Sequence, residues 1–423
     1  MYNVNVAMDY QINDISRDNF EQCIKCTICT VYCPVLAVNP DYPGPKQAGP
    51  DGERYRLKNP RFYDMALKYC LNCKRCEVAC PSNVKIGDII QRARIQYDTK
   101  PVKLRDRLLA ETDFMGRMAT TVAPVVNFVL GRSLVKRGMD MTLAIDRHRE
   151  FPKYAGRTFV SWFNRHAASV QAGFDRRVEY FHGCYVNYNF PSLGRDLVKI
   201  LNAAGWGVDL LEGERCCGVA KISNRLIDRA AADARSNMQV VRNALAGNDK
   251  PLLFTGSTCA FTMRDEYPHL LDVDNADVRD RMLMATVWLA RMIQSGDIRL
   301  AFRSDYRRRV TYHTPCHMQK LGWAIYSVSL LRMIPGLEYV PVRSQCCGIA
   351  GTYGFKRENY ATSQAIGREL FEALDAVAPD IVATDCETCK WQIEMSTPYK
   401  VMNPISIIAE ALDVEATQRL NAL

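Results

Sequence analysis

The sequence predicts a multidomain chain with a small, helical, cysteine-rich module near its N-terminus and a duplicated α/β domain with parallel sheets at its C-terminus. Three observations predict this class. Eight cysteines form two equal runs, a basic and partly apolar segment follows them, and the remaining cysteines recur at an offset of about 130 positions. A chain of 423 residues is too long for one hydrophobic core, so two to three domains are expected.

Two cysteine runs with identical spacing occupy residues 23–81. Both follow C-x2-C-x2-C-x3-C-P, the run of two-cluster bacterial ferredoxins, in which the fourth cysteine of each run ligates the cluster of the other run. We therefore predict two [4Fe–4S] sites with crossed ligands. Ferredoxin site 1 consists of Cys23, Cys26, Cys29 and Cys80, and ferredoxin site 2 of Cys70, Cys73, Cys76 and Cys33.

Structural zinc and disulfides are the alternatives for these runs. Zinc sites usually pair two short C-x2–4-C knuckles and have no use for a third cysteine followed by C-P. Disulfides require an oxidising compartment, and 17 cysteines grouped into motifs favour metal binding over a disulfide framework. The sequence therefore predicts iron–sulfur chemistry. Lys25, Lys74 and Arg75 lie within the runs, where they either bias the clusters or are exposed charges that face a partner or solvent.

Residues 1–97 are predicted to form this ferredoxin-like module. The N-terminal stretch has no charged region followed by an apolar one, so no signal peptide is expected. The Pro- and Gly-rich residues 39–53 predict an irregular loop. Residues 86–97 predict a helix that leaves the second run. The wide spacing between the runs resembles the α-helical ferredoxin of succinate dehydrogenase-type iron–sulfur subunits.

Residues 98–176 form a basic connector. Residues 92–177 contain 17 Lys or Arg against 8 Asp or Glu, which accounts for the whole formal charge of +9. Within it, residues 114–130 are mostly apolar but include Arg117 and Pro124, so this segment is poorly suited to span a bilayer. Apolar residues with basic flanks suit a helix in the membrane interface. A solvated linker with one packed helix is the alternative.

The remaining cysteines form an internal repeat over residues 177–305 and 306–423. The distance from Cys217 to Cys347 is 130 positions, as is that from Cys259 to Cys389. The first CCG site consists of Cys184, Cys216, Cys217 and Cys259, and the second of Cys316, Cys346, Cys347, Cys386 and Cys389. At the same offset Gly256 stands where the second copy has Cys386, so the first copy lacks one thiol.

Each copy has a β-α-β-α-β pattern. Strands are predicted over 178–181, 207–211 and 252–255 in the first copy, and over 309–312, 337–340 and 380–384 in the second. This alternation predicts a parallel sheet with helices on its faces. Every cysteine element follows a strand, and ligands gather beyond the carboxyl ends of such strands. Each copy can thus collect its thiols into one site.

The paired cysteines suggest an irregular cluster, because adjacent thiols cannot easily serve one metal of a compact cube. Three interpretations stay open for the first site: a cluster with one ligand fewer, a zinc site, or an empty vestige. His182, His313 and His317 lie near site cysteines, where they either ligate metal or relay protons, or pack as ordinary buried residues.

The duplicated Cys…CCG…C-x2-C arrangement resembles the cysteine-rich CCG domain of the heterodisulfide reductase family. There the complete five-cysteine motif is associated with a non-cubane [4Fe–4S] cluster, which the resemblance implies for the second site. Further strings resemble the iron–sulfur subunit family of anaerobic glycerol-3-phosphate dehydrogenases; these are residues 21–34, 41–54, 69–88, 181–188, 346–355 and 384–396.

The second resemblance implies a function. Flavoprotein subunits in that family oxidise glycerol 3-phosphate, and the iron–sulfur subunit transfers the electrons and anchors the complex. The chain is thus expected to pass electrons to a quinone as a peripheral protein on the cytoplasmic side of the inner membrane. No nucleic-acid partner is expected. The alternatives are a heterodisulfide or disulfide reductase-type subunit and the iron–sulfur subunit of a lactate or glycolate oxidase.

Overall fold

The computed structural model describes residues 19–59, 62, 64–98, 100–343 and 345–422. Residues 1–18, for which the sequence predicts no signal peptide, lie outside the described residues. The fold class is as predicted, because a helical N-terminal part precedes two four-stranded parallel sheets.

The N-terminal module is built from short helices around the two cysteine runs. The predicted helix over 86–97 is present, and Ile86, Ile89, Ile90 and Ala93 bury one face of it at the spacing of an amphipathic helix. The helical segments are Phe20–Gln22, Ile28–Val31, Gln47–Asp51, Gly52–Lys58, Met65–Tyr69, Arg75–Val78 and Ile86–Tyr97.

The Pro- and Gly-rich segment between the runs is more regular than the sequence predicts. Gln47–Asp51 forms a π-helical turn that continues directly into the α-helix Gly52–Lys58. Pro50 lies inside the wide turn, where the altered hydrogen-bond ladder accommodates a residue without an N–H donor. The prediction of a wholly irregular loop over 39–53 was therefore wrong for its second half.

The connector is a series of short helices. They are Leu104–Ala110, Thr112–Thr121, Ala123–Leu130, Ser133–Leu143, Phe159–His166 and Ala168–Gln171. The apolar stretch 114–130 is divided into two helices at Val122, two residues before Pro124 in the first turn of the second helix. Among the residues that the structure describes, no helix has the length and apolar character needed to cross a membrane.

Both copies of the repeat form a sheet of the same topology. The first sheet contains β1 (Arg177–Phe181), β2 (Gly207–Leu210), β3 (Leu252–Phe254) and β4 (Met282–Met284) in the order β2-β1-β3-β4. The second contains β5 (Arg308–Tyr312), β6 (Leu337–Tyr339), β7 (Ile381–Ala383) and β8 (Lys400–Met402) in the order β6-β5-β7-β8. All pairings are parallel.

The fourth strand of each sheet was not predicted. Both β4 and β8 are only three residues long, lie at a sheet edge, and lead closely into a helix. Neither strand leads into a cysteine, so the pattern that marks the other strands is absent from both. The other six strands match the predictions within two residues at each end, as expected for segments of clear periodicity.

Helices cover the faces of both sheets. The helical segments of the first copy are Gly183–Tyr188, Pro191–Ala203, Val219–Ser223, Ile227–Leu245, Ser257–Phe261, Thr262–Glu266, Tyr267–Leu270, Arg279–Arg281 and Ala285–Gln294. Those of the second are Cys316–Leu321, Ala324–Arg332, Tyr353–Phe355, Arg357–Val377, Glu387–Ser396, Pro404–Ala411 and Val414–Asn421.

The two copies share one apolar core. Residues of both sheets, among them Tyr180 and Val310, belong to a single buried cluster. Helix Pro191–Ala203 of the first copy packs against Pro404–Ala411 of the second, and Ser406 donates to Asp196 at 2.6 Å across this contact. The packing fixes the two cysteine edges relative to each other.

Candidate metal centres

The two ferredoxin-type runs share one backbone device. In each run the residues on both sides of the second cysteine have positive φ angles between 55° and 62°: Lys25 and Thr27 around Cys26, and Asn72 and Lys74 around Cys73. Left-handed residues reverse the direction of the chain over a short distance. The alternation curls each loop, so that its thiols converge on one volume.

The structure brings the predicted thiols together in crossed sets. Cys23, Cys26, Cys29 and Cys80 line one cavity, which Ile24, Pro81 and Ile86 close with apolar atoms. A second cavity is lined by Cys33, Cys70, Cys73 and Cys76, together with Pro34, Tyr42 and Ile90. In both cavities the fourth thiol comes from the other run. Four converging thiols in an apolar enclosure fit a [4Fe–4S] cluster by number and chemistry.

Backbone amides point at the sulfur atoms. The N–H of Asn72 donates to Cys70 Sγ at 3.4 Å, and the N–H of Val84 donates to Cys80 Sγ at the same distance. Burial raises the pKa of the Cys33 thiol to about 12, so at neutral pH this sulfur is either a neutral thiol or a metal ligand. Hydrogen bonds to sulfur are one of the factors that set the potential of such clusters.

The second CCG site divides the paired cysteines between two sides. Cys347 joins the buried cluster that contains Cys386 and Cys389, and the Sγ atoms of Cys347 and Cys389 are 3.3 Å apart. Cys346 belongs instead to the core of the ferredoxin-like module. Its thiol interacts with that of Cys316, which packs against the same core. Adjacent thiols with opposite neighbours suit an irregular cluster, in which each serves a different metal.

His313 lies in the inner half of this site. Its ring nitrogen and the thiols of Cys347 and Cys389 all lie within 4.8 Å of one another. Burial lowers the pKa of His313 to about 4, so the ring is neutral at physiological pH and keeps a lone pair for a metal. His317 stacks on Phe261, with ring centroids 4.5 Å apart, as a packing residue does.

The first CCG site also collects its four thiols. Cys184 Sγ lies 3.7 Å from Cys216 Sγ, and the thiols of Cys217 and Cys259 are close enough to shift each other's pKa. These residues follow β1, β2 and β3, as the strand-end argument predicts. Gly218, at φ 85°, lets the chain turn directly behind the cysteine pair.

Known proteins with similar sequences identify the family. The family described as a 4Fe-4S dicluster domain matches residues 19–84, and that described as a cysteine-rich domain matches residues 178–264 and 310–394. The chain is 54% identical, over 95% of its own length and 100% of the relative, to the C subunit of anaerobic glycerol-3-phosphate dehydrogenase from Escherichia coli (strain K12). The chain belongs to the family of this C subunit. The predicted resemblance is therefore confirmed.

More distant relatives also match large parts of the chain. The chain is 26% identical to the glycolate oxidase iron–sulfur subunit of Escherichia coli (strain K12), over 93% of its own length and 94% of the relative. It is 29% identical to lactate utilization protein A of Geobacillus thermodenitrificans (strain NG80-2), over 56% of its own length and 98% of the relative. The chain is thus also related in sequence to proteins that are named for glycolate and lactate.

Sequence reasoning left the role of one lysine open. Lys74 is 1% exposed and makes ion pairs with Asp88 and with Glu77, the latter at 3.4 Å. It lines the cavity of ferredoxin site 2, whereas Lys25, in the loop of the first run, is exposed. Of the two interpretations for Lys74, solvent exposure is therefore excluded. The sequence offered one indication of this pairing: Glu77 stands three residues after Lys74, the spacing of an ion pair on one helical turn.

Two carboxylates that position the first CCG site were missed. Asp113 of the connector accepts the backbone N–H of Cys216 at 2.7 Å. Glu214 accepts the N–H groups of His182 and Gly183 at 3.1 and 2.7 Å, directly before Cys184. Asp113 lies far from the repeat in sequence, so no local pattern could reveal it. Together they hold the loops that carry the thiols.

Proposed function

We propose that the chain is the iron–sulfur electron-transfer subunit of an anaerobic glycerol-3-phosphate dehydrogenase, carrying electrons from flavoprotein subunits to a quinone. One contact carries the proposal. Cys316 of the second CCG site packs against the buried cluster that contains Cys33 and Cys76 of ferredoxin site 2, and the thiols of Cys316 and Cys73 shift each other's pKa. The thiol sites of the two domains therefore adjoin, as a continuous route for electrons requires. Membership of the C-subunit family supports the same role.

Polar contacts on both sides hold this junction. Helix Arg75–Val78 packs against helix Cys316–Leu321, each carrying a site cysteine. Glu77 pairs with Lys320 at 2.7 Å, and Arg75 donates to Gln345 at 3.2 Å. A junction fixed at its centre and its flanks keeps the distance between the two sites constant.

The proposed ligand sets follow the two crossed cavities and the two CCG sites. Ferredoxin sites 1 and 2 would each hold a [4Fe–4S] cluster, and the second CCG site a non-cubane [4Fe–4S] cluster. Such clusters supply one-electron redox chemistry at potentials that the surrounding protein adjusts. The chain itself provides the thiolates, excludes water with residues such as Tyr42 and Ile90, and donates N–H groups to sulfur.

The flavoprotein subunits are proposed to dock at ferredoxin site 1. Cys26 is the exposed member of that site. Ile24, Val31 and Tyr32, in the same run, are apolar and exposed, Val31 by 83%. Exposed apolar side chains in a cluster-binding loop suit a protein interface more than free solvent. Electrons would enter there and move inward towards ferredoxin site 2.

The membrane surface and quinone are proposed to lie on the connector side. Helices Thr112–Thr121, Ala123–Leu130 and Ser133–Leu143 expose a set of apolar side chains, called here the connector apolar face. It consists of Phe114, Met118, Val122, Val125, Phe128, Leu134 and Met141. Arg117, Arg132 and Arg137 are exposed on the same helices or directly beside them. Apolar residues with basic neighbours suit anionic lipid headgroups.

This face is joined to the first CCG site, since Asp113 on its first helix holds Cys216. We therefore propose that electrons pass from the second CCG site to the first and leave towards the quinone there. The chain would then be peripheral, on the cytoplasmic side of the inner membrane.

A glycolate or lactate oxidase role is the second candidate, supported by the 26% identity to a glycolate oxidase iron–sulfur subunit. A disulfide reductase role is less well supported, because Cys346, Cys347, Cys386 and Cys389 are all buried and leave a thiol substrate little access. Assays of the complex with glycerol 3-phosphate, glycolate and lactate discriminate between the first two roles.

The central test uses the Cys316→Ser variant within the complex purified without oxygen. We expect glycerol 3-phosphate still to reduce the ferredoxin sites, as seen by EPR, while reduction of a quinone analogue falls at least tenfold. Ile325→Ser is the control, because Ile325 is exposed on the following helix. Wild-type quinone reduction in Cys316→Ser would contradict the route, and failure of wild type to oxidise glycerol 3-phosphate would contradict the function.

A further inference from the structure

A carboxylate of the second copy occupies the place of the thiol missing from the first. We propose that Glu387 is the fifth donor of the first CCG site, and that this site takes an iron–sulfur cluster with four thiolates and one carboxylate. The inference rests on the proposed iron–sulfur function. It assigns both an occupant and a donor to the site for which the sequence left three interpretations open.

The space beside Gly256 shows what replaces the thiol. Gly256 is the repeat equivalent of Cys386. A Cβ atom built on Gly256 would lie 2.0 Å from Oε1 and 3.0 Å from Cδ of Glu387. The carboxylate of the second copy thus fills the volume into which a side chain at position 256 would project.

The backbone at Gly256 does not require glycine. Its φ and ψ are −111° and 116°, close to the −132° and 121° of Cys386 in the second copy. Any residue adopts these extended values. The carboxylate, and no backbone strain, therefore occupies the space that a side chain at this position would take. A fifth thiol at Gly256 and the present position of Glu387 are mutually exclusive.

The two third-strand loops contact each other. Ser257, the equivalent of Glu387, donates its backbone N–H to the carbonyl of Asp385 at 2.8 Å. Thr258 places its hydroxyl 3.8 Å from the Sγ of Cys386 in the second site. Each loop thus reaches towards the other copy's site. The first copy contributes a hydroxyl to the second site, and the second copy contributes a carboxylate to the first.

Glu387 differs from its neighbouring carboxylates in its partners. Asp385 accepts from Tyr312 at 2.6 Å and from Ser327 at 2.8 Å, and Glu214 accepts two backbone N–H groups. Among the described residues, no cation and no hydrogen-bond donor of another residue meets the carboxylate of Glu387. Glu387 is partly buried, and a carboxylate that loses part of its water without gaining a partner is destabilised. A bound metal beside it would supply the missing positive charge.

The donor set distinguishes between the possible occupants. Structural zinc is satisfied by four ligands, and the four thiols of the first CCG site already provide them. A fifth, oxygen donor has no place on such a zinc. An iron–sulfur cluster contains several metal ions, so one iron can take a carboxylate while the others keep thiolates. The carboxylate therefore favours an iron–sulfur cluster over zinc.

The test is EPR with iron and sulfide analysis of the full chain purified without oxygen. Cys259→Ser identifies the signal of the first site, and Cys347→Ser that of the second. Glu387→Gln has the same size but no charge, so it leaves the packing in place. We expect it to lose or shift the signal that depends on Cys259. Glu372→Gln, an exposed carboxylate of the same copy, should match wild type.

A double variant tests the exclusion directly. Glu387→Ala vacates the volume beside Gly256, so Gly256→Cys in that background should restore iron at the first site through a fifth thiol. Iron no higher than in Glu387→Ala alone would overturn the inference. So would an unchanged Cys259-dependent signal in Glu387→Gln, or zinc in place of iron at that site. Ferredoxin signals would remain in these cases, whereas their absence from wild type would overturn the proposed function as well.

Discussion

The ammonium group of Lys320 lies 2.7 Å from the Oε2 atom of Glu77, and the Glu77 side chain is only 1% exposed. Lys320 belongs to the helix that begins at Cys316, and Glu77 follows Cys76. Glu77 also accepts the backbone N–H groups of Gly87 and Asp88. The pair therefore joins the ferredoxin-like module to the second copy beside two site cysteines.

Lys320→Gln should loosen this junction. Breaking a buried ion pair costs about 3–5 kcal/mol, and we expect roughly 1–3 kcal/mol here because Lys320 reaches the surface. The measurement is the thermal unfolding midpoint of the full chain, which should fall. Lys400→Gln is the control, since its pairing with Glu410 is at 3.9 Å and exposed. Equal midpoints for the two variants would show that the junction does not depend on the pair.

Lys74→Met should make the potential of ferredoxin site 2 more negative. A buried cation at the cavity wall stabilises a bound cluster most in its reduced, more negatively charged state. Loss of this cation therefore lowers the reduction potential. The measurement is a redox titration followed by EPR. Lys74→Arg keeps the charge and should stay closer to wild type. An unchanged potential in Lys74→Met, with the cluster content intact, would assign Lys74 a structural role alone.

Replacing Phe114, Val125 and Phe128 by serine should weaken membrane binding. Each side chain is about 60% exposed, so the substitutions spare the core. Half-burial in lipid contributes about 1 kcal/mol per side chain, which together predicts a roughly 100-fold lower partition coefficient. Co-sedimentation with vesicles containing anionic lipid measures it.

Exposed apolar residues outside the connector apolar face provide the control for this experiment. Val170→Ser and Ile325→Ser remove comparable apolar surface elsewhere and should bind like wild type. Deleting 114–130 is less informative, because Gly116 packs against Tyr188. Equal binding of all variants would place the membrane contact on another surface.

Asp196→Asn should change the pH dependence of stability. Burial raises the pKa of Asp196 from 3.8 to about 6, against the hydrogen bond from Ser406. The folded state therefore holds this proton more tightly, and the contribution of Asp196 to stability falls as the pH rises from about 4 to about 6. Between pH 5 and 7 wild type should lose about 1 kcal/mol relative to Asp196→Asn.

Thermal unfolding midpoints of both proteins between pH 5 and 7 provide the measurement. Ser406→Ala removes the hydrogen bond that opposes the shift, so its window should move to higher pH. A constant difference between wild type and Asp196→Asn across this range would mean that Asp196 titrates normally.

The sequence predicted what depends on spacing. The cysteine sets could be grouped because a ferredoxin run and a constant offset are local or periodic patterns. Six of the eight strands could be placed because each is a short run that leads into a cysteine element. The strands β4 and β8 lead into no cysteine, so that signal does not mark them. Residues 47–51 form a helical turn around Pro50, although a Pro- and Gly-rich composition usually indicates an irregular loop.

Contacts between distant segments could not be predicted. Asp113 reaches Cys216 across about a hundred residues, and Glu387 reaches Gly256 only because the two copies pack against each other. The burial of Lys74 depends on Asp88 and on its neighbours in both copies. Such pairings depend on how the domains pack against each other. A single sequence contains no periodic pattern that indicates this packing.

The crossed cysteine sets also constrain how the protein is made. Synthesis proceeds from the N-terminus. The set containing Cys33 is complete only when Cys76 has been added, and the set containing Cys23 only four residues later, with Cys80. The first run alone therefore offers no complete site to an assembly machinery. With the proposed ligand sets, a ribosome stalled between the two runs would display four thiols that belong to two unfinished sites, and both sites would become complete within the same four residues of translation.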